Sequence, residues 1–478
     1  MMEAKKVMDD FKCELMRRSP LAAAVLDTCN YVLDDAMLQS LFERHRGRCY
    51  QDVLIFPDFI RLMRDALLRH GGSAHKLFLE LENDKTHPAD ESSFYRKLAR
   101  TPVEVSRALL REGTQRLRPL MCEAGRALVP ECFEPFELII GDGKKIKNAA
   151  KRLKPTRGFQ GGLIGAKALV AVDARSGLAL AMSDSLDGLT NDVPLVPQLM
   201  EQLRQIIPGP MCSVWDRQFD DLRTLRRLSE RPGDAFVVRM NPKYPIFVEF
   251  SLETRDAQGR KVIDQIIVMG SNKRTGQSPS PGGQSPSRQA MRLRCITLQR
   301  PGEEDVIVLT NLLDSSAFPP GDLLALYRAR WGIEQVFQQV TETFCLTHLI
   351  GSAPKAVLLQ FAFCLLLYNL MQLVKAYVAE DGKVLASAVS MYYLFDHTRQ
   401  ELIAWAYHTD GSWPGTQRDC ASMAARLREL LRGTWNPILF TKAADKKPRG
   451  KPKAKLRLLG GHSSVQRVLE GRAKVVAS

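Results

Sequence analysis

FELIIGDGKKI, Phe136–Ile146, decides the fold class. It reads as a short apolar strand that ends in Gly-Asp-Gly, with Asp142 between the glycines. GGLIGAKALVAVDARSGLALAMSDSL, 161–186, reads as two strands around a turn at Arg175-Ser176-Gly177. NDVPLVPQLMEQLRQII, 191–207, is a helix with Asn191 or Asp192 as its cap. GPMCSVWDRQF is a strand ending at Asp216, DDLRTLRRLSERPG a helix with a Pro-Gly stop, and DAFVVRM a further strand. Three strands, helix, strand, helix, strand predicts an α/β fold: a mixed sheet with helices packed on it.

Outward from this core the texture changes. Residues 1–130 read as helical, with FPDFIRLMRDALLRHGG ending at a Gly-Gly stop. The basic first half of DESSFYRKLARTPVEVSRALLREGTQRLR is a candidate for meeting DNA, or equally the solvated face of a packed helical pair. Residues 131–241 are the first part of the core. Residues 242–304 read as a β-rich insertion around a Gly/Pro/Ser-rich basic loop at 271–290, expected to be mobile. The core resumes over 305–380, a helical region covers 381–441, and 442–478 is expected to be a disordered basic tail.

The 478-residue chain carries a formal charge of +15, which suits a polyanionic partner, above all nucleic acid. Its ten cysteines form no CxxC pair and no zinc-type spacing, which fits a reducing cytoplasm. The N-terminus lacks a signal peptide's apolar stretch. AVLLQFAFCLLLYNLMQLV, 356–374, has nearly the length of a membrane span, but Gln360, Asn369 and Gln372 point to a buried helix, and no membrane association is expected.

LYRARWGIEQVFQQV, Leu326–Val340, reads as a helix. Leu323, Leu326, Ile333, Val336, Phe337 and Val340 make its apolar stripe, while Tyr327, Arg330 and Glu334 share another face. Taken alone, Arg330 and Glu334 make a surface ion pair worth a few tenths of a kcal/mol. Together with Asp142 and Asp216 they suggest more. Strand ends meet at one edge of such a sheet, and a helix packed there brings a third carboxylate alongside. Three clustered carboxylates need a cation to stay ionised together, and oxygen ligands without His or Cys point to Mg²⁺ or Mn²⁺. Two such ions support phosphoryl transfer.

On IIGDGKKI, VWDRQFDD followed by FVVRMN, and YRARWGIEQVF, the sequence resembles the cut-and-paste DDE transposases of the insertion-sequence-four family over most of 136–380. YRARWGIE resembles that family's Tyr-x-x-Arg-x-x-x-Glu signature. The resemblance implies a ribonuclease H-like core interrupted by a β-rich insertion. It implies Asp142, Asp216 and Glu334 as catalytic, metal-binding residues, and Tyr327 and Arg330 as phosphate contacts. It implies two Mg²⁺ or Mn²⁺ ions, a DNA hairpin intermediate with a flipped base, and Trp331 or Trp215 as candidates to stack on that base. The implied partners are double-stranded DNA, as terminal inverted repeats and target, and a second copy in a synaptic dimer; the setting is a bacterial cytoplasm and nucleoid. The sequence departs from the signature at Thr341, where the family has lysine; Lys144, Lys145, Lys147 and Arg328 are the nearby cations. Two other readings are a transposase-derived DNA-binding protein that no longer cuts and a ribonuclease H-like nuclease without end specificity.

Overall fold

The computed structural model describes residues 11–49, 53–84, 90–242, 246–270, 290–343, 346, 348–409, 418–437 and 461–473. The expected basic loop falls outside these residues except for position 290, and so does the tail up to 460.

The mixed sheet is present. Its strands are β1 (Glu137–Ile146), β3 (Ala166–Asp173), β4 (Ala179–Ser185), β5 (Met211–Trp215), β6 (Ala235–Arg239), β7 (Ile246–Arg255), β8 (Lys261–Met269), β9 (Met291–Leu298) and β10 (Val306–Thr310). They lie in the order β4-β3-β1-β5-β6-β10-β9-β8-β7. β1 runs antiparallel to β3 and parallel to β5, and β5 runs parallel to β6. The insertion's strands β7, β8 and β9 do not stand apart. They continue the same sheet beyond β10 through antiparallel pairing.

The central strands read as apolar runs because both faces are covered: every residue of β3 and β5 is buried. Helices precede the sheet, among them α1 (Pro20–Val32), α2 (Asp35–His45), α3 (Phe56–Leu68), α4 (Ala74–Asp84), α5 (Glu91–Arg100) and α6 (Val103–Leu117). α7 (Val196–Arg204) and α8 (Leu222–Leu228) occupy the connections expected from the sequence. Beyond β10 come α9 (Pro320–Ala329), α10 (Trp331–Glu342), α11 (Pro354–Asp381) and α12 (Met391–His408).

α11 is long and apolar enough to cross a membrane, yet 94% of its most apolar window is buried inside the protein, against α6, α1 and the β3–β4 face. Its polar residues have protein partners. Asn369 accepts the Ala179 N–H at 2.8 Å and donates to Thr114 Oγ1 at 2.7 Å; Gln360 accepts the Ile350 N–H at 2.8 Å. A buried amide so satisfied costs little. Part of the expected tail is also ordered: β11 (His462–Ser464) pairs in parallel with the short β2 (Gly162–Ile164).

Candidate active site

Asp142 does not end its strand. β1 runs on to Ile146 because β3 pairs with it along its whole outer half, Asp142 opposite Val170. The parallel partner stops first, with Ile140 beside Val214 as the last registered pair and β5 ending at Trp215. Continued two residues, that register sets Asp142 level with Asp216, at the mouth where β1 and β5 part. Side chains alternate along a strand, so both aspartates face the same side of the sheet.

The flanking glycines serve the opposite face. A Cβ on Gly141 would lie 2.1 Å from the Trp215 ring, and one on Gly143 would lie 2.0 Å from Asp192 Oδ1. Trp215 packs flush against the back of β1, fully buried and 4.8 Å from the Phe219 ring. This removes Trp215 from the stacking candidates, since its ring has no open face. Asp192, expected only as a helix cap, is buried and paired with the buried Lys167 Nζ at 2.6 Å. The sequence signal for it was a lysine inside an otherwise apolar strand, since a buried cation requires a buried partner.

The face that holds the aspartates is covered by the helices of the signature. The expected apolar stripe is buried throughout: Leu323, Leu326, Ile333, Val336, Phe337 and Val340. The expected single helix is divided at Arg330, where Arg330 N–H donates to Tyr327 O and Ile333 N–H to Arg330 O, both at 3.1 Å. This tight i→i+3 turn keeps the polar residues together. The Arg330 guanidinium lies 5.9 Å from the Tyr327 ring centroid, 3.1 Å from Glu334 Oε1 and 3.7 Å from Asp142 Oδ2. Arg330 thus bridges the first and third carboxylates. Glu334 is exposed, Tyr327 and Arg330 are buried, and Trp331 is 63% exposed beside them. Thr341 turns inward to donate to Phe337 O at 2.6 Å. The Lys144 ammonium lies 5.4 Å from the ring of Phe337, one helical turn before Thr341.

A second buried charge pair supports the approach to these helices. Arg294, fully buried on β9, holds Asp264 of β8 through bonds of 2.8 and 2.7 Å and donates to Phe318 O at 2.7 Å, just before α9. The β-rich insertion therefore anchors the loop that launches the signature.

Burial pushes the Asp142 carboxyl up to about 6. The Gly143 N–H and Arg330 pull against that, while Asp216 and Asp192 add to it. Burial pushes the Lys144 ammonium down, with Lys147 assisting. Among the described residues no three His, Cys, Asp or Glu side chains gather as a metal cluster. The donors at the mouth are nonetheless hard oxygens, which suit Mg²⁺ or Mn²⁺. Asp142 and Asp216 repel each other as anions, a cost that a divalent ion would offset. Glu334 is tied to this site through Arg330, which pairs with both Glu334 and Asp142.

Residues 135–370 match the family model described as Transposase DDE domain. This segment is similar to a transposase DDE domain. It runs from the start of β1 into α11, so Asp142, Asp216 and Glu334 all lie within it. Among solved structures, the chain is similar to the piggyBac transposase of a synaptic complex with hairpin DNA, at 14% identity over 85% of this chain and 75% of that one, with a TM-score of 0.32. No curated protein matches it.

Proposed function

We propose that this chain is a metal-dependent DNA transposase of the cut-and-paste, insertion-sequence-four kind. The observation that carries the reading is the level placement of Asp142 and Asp216 on one face of β1 and β5, beneath the Tyr327–Arg330–Glu334 turn. The order β4-β3-β1-β5-β6, with β5 and β6 parallel to β1, supports a ribonuclease H-like core.

Asp142, Asp216 and Glu334 are the residues that would hold the ions. When bound, those ions supply an activated water and a counter-charge for the leaving oxygen. Arg330 and Tyr327 orient the phosphodiester; each charged hydrogen bond to it is worth ~1.5–3 kcal/mol. When Arg330 turns toward a phosphate it frees Asp142 and Glu334 from their bridge. Trp331, exposed at the same mouth, offers a face for a base displaced in a hairpin intermediate. Residues 1–130 bind the terminal inverted repeats, and two copies join two ends in synapsis.

The test is strand cleavage with Mg²⁺ on a duplex carrying the element's own end. Wild type is expected to cut at the junction, and Glu334→Ala and Asp216→Asn are expected not to. Cleavage by either variant at the wild-type rate overturns the site. Specific binding without cleavage by any form would favour a descendant that no longer cuts, a reading to which Thr341 lends some weight.

A further inference from the structure

Beyond Asp142, β1 points toward a second feature that the site above does not use. Lys144 and Lys147 follow along the strand and its exit, and the chain then turns at Asn148 in the left-handed region, φ 64°. Asn148 lines a cavity of about 580 Å³ between the N-terminal helices and the DDE domain. His70 and the Gly71-Gly72 turn close one side, and α4 begins on it with His75 and Lys76 in its first turn. Arg152, Tyr95 and His348 close the other sides. No carboxylate is among the described residues lining it.

The state of these cations matters. Elsewhere most arginines meet a carboxylate, such as Arg107 with Asp184 and Arg292 with Glu249. Among the described residues, Lys76, Lys144 and Lys147 form no such ion pair within the same reach. Arg152 is held in place by donating to Ile350 O at 3.1 Å and lies against the Tyr95 hydroxyl, so its charge is fixed at the wall without being neutralised. Carboxylates stand behind the two histidines, Glu80 3.2 Å from His70 and Glu91 3.2 Å from His75, but Lys76 and Arg152 line the cavity with no carboxylate partner among the described residues, and such a pair is complementary to an external anion. Asn148 lies six positions after Asp142, so the cavity's edge lies within ~20 Å of the Asp142 carboxylate along the chain.

We infer that this cavity is a second phosphate-binding subsite. It would hold a backbone phosphate of the duplex whose scissile bond lies at Asp142, with Lys144 and Lys147 marking the track between. This rests on the DNA-cleaving reading above and adds where the flanking backbone is gripped. The grip joins the N-terminal helices to the DDE domain through one strand of DNA.

Phosphate contacts are independent of sequence, so a fluorescent random-sequence duplex of 30 base pairs serves as the probe. Affinity for the full-length protein is measured by anisotropy across a salt series. Each lost phosphate contact lowers the slope of log K against log[salt] by about 0.9. Lys76→Ala is the chief variant, because Lys76 is exposed and its removal leaves the packing intact. Its slope is expected to fall by about 0.9 relative to wild type, with an unchanged thermal unfolding curve. Lys76→Glu is expected to weaken binding further. An unchanged slope in both variants, with wild type binding normally, overturns the subsite and leaves the cleavage reading standing. Absence of wild-type binding at low salt would overturn both. The cleavage comparison with Glu334→Ala decides the site at Asp142 independently.

Discussion

Gly143→Ala is the substitution for which the structure makes the sharpest demand. The new methyl would sit 2.0, 2.3 and 2.5 Å from Asp192 Oδ1, Cγ and Oδ2. Contact at van der Waals distance requires the carboxylate to retreat by more than 1 Å, whereas Lys167 holds it at 2.6 Å in a site where both side chains are buried. Breaking a buried pair costs ~3–5 kcal/mol. Alanine gains back ~0.5–1 kcal/mol over glycine in a strand. The net loss expected is about 2–4 kcal/mol, felt first in β1. The assay is hydrogen exchange of the 137–146 amides, which reports local opening directly. At 1.4 kcal/mol per factor of ten, exchange limited by that opening should quicken by roughly 30- to 1000-fold. Replacing the pair by apolar side chains in Gly143→Ala/Asp192→Ala/Lys167→Met should restore most of the protection, since it removes the clash without stranding either charge. Wild-type exchange in the single variant, or a triple variant no better than the single, would refute the account of why glycine follows Asp142.

Four further outcomes follow from the same geometry. Asp264→Asn should cost ~3–5 kcal/mol in urea unfolding because it leaves Arg294 buried without its counter-charge; a change under 1 kcal/mol would count against the pair as an anchor. Glu334→Ala should abolish cleavage yet change stability by less than ~1 kcal/mol, since the side chain is exposed; a large loss of stability would make it a structural residue. Trp331→Ala should leave the melting temperature unchanged and weaken hairpin DNA more than plain duplex, and equal weakening of both would argue against stacking. Glu401 accepts the Ala22 N–H at the start of α1 at 2.9 Å, and burial pushes its carboxyl from 4.5 up to about 7. A raised carboxyl favours the fold while protonated, so this contribution is full below pH 4.5 and is lost as pH rises through about 7. Glu401→Gln should therefore stabilise the protein at pH 8, by at most ~3 kcal/mol, and hardly at pH 4.5; equal urea midpoints for both forms at pH 8 would contradict it.

What the sequence determined by itself was local. Alternating and continuous apolar runs mark strands because burial acts residue by residue, and the stripe Leu323–Val340 marks helices because its period is that of the backbone. Those signals also drew attention to Asp142, Asp216 and Glu334 as polar residues on apolar elements. The match of 135–370 to a transposase DDE domain agrees with the reading of the same stretches as those of a DDE transposase. The tertiary structure decided what depends on partners distant in the chain. Parallel pairing of β1 with β5 brings Asp142 level with Asp216, 74 positions further along the chain, and only that register separates their face from Trp215's. It put Asp192 and Lys167 behind Gly143 and drew the insertion's strands into the main sheet. It closed the signature turn at Arg330, so that one guanidinium meets two carboxylates. A strand's pattern says which side chains share a face; which neighbour fills that face is settled by packing, where long-range contacts outweigh local preference.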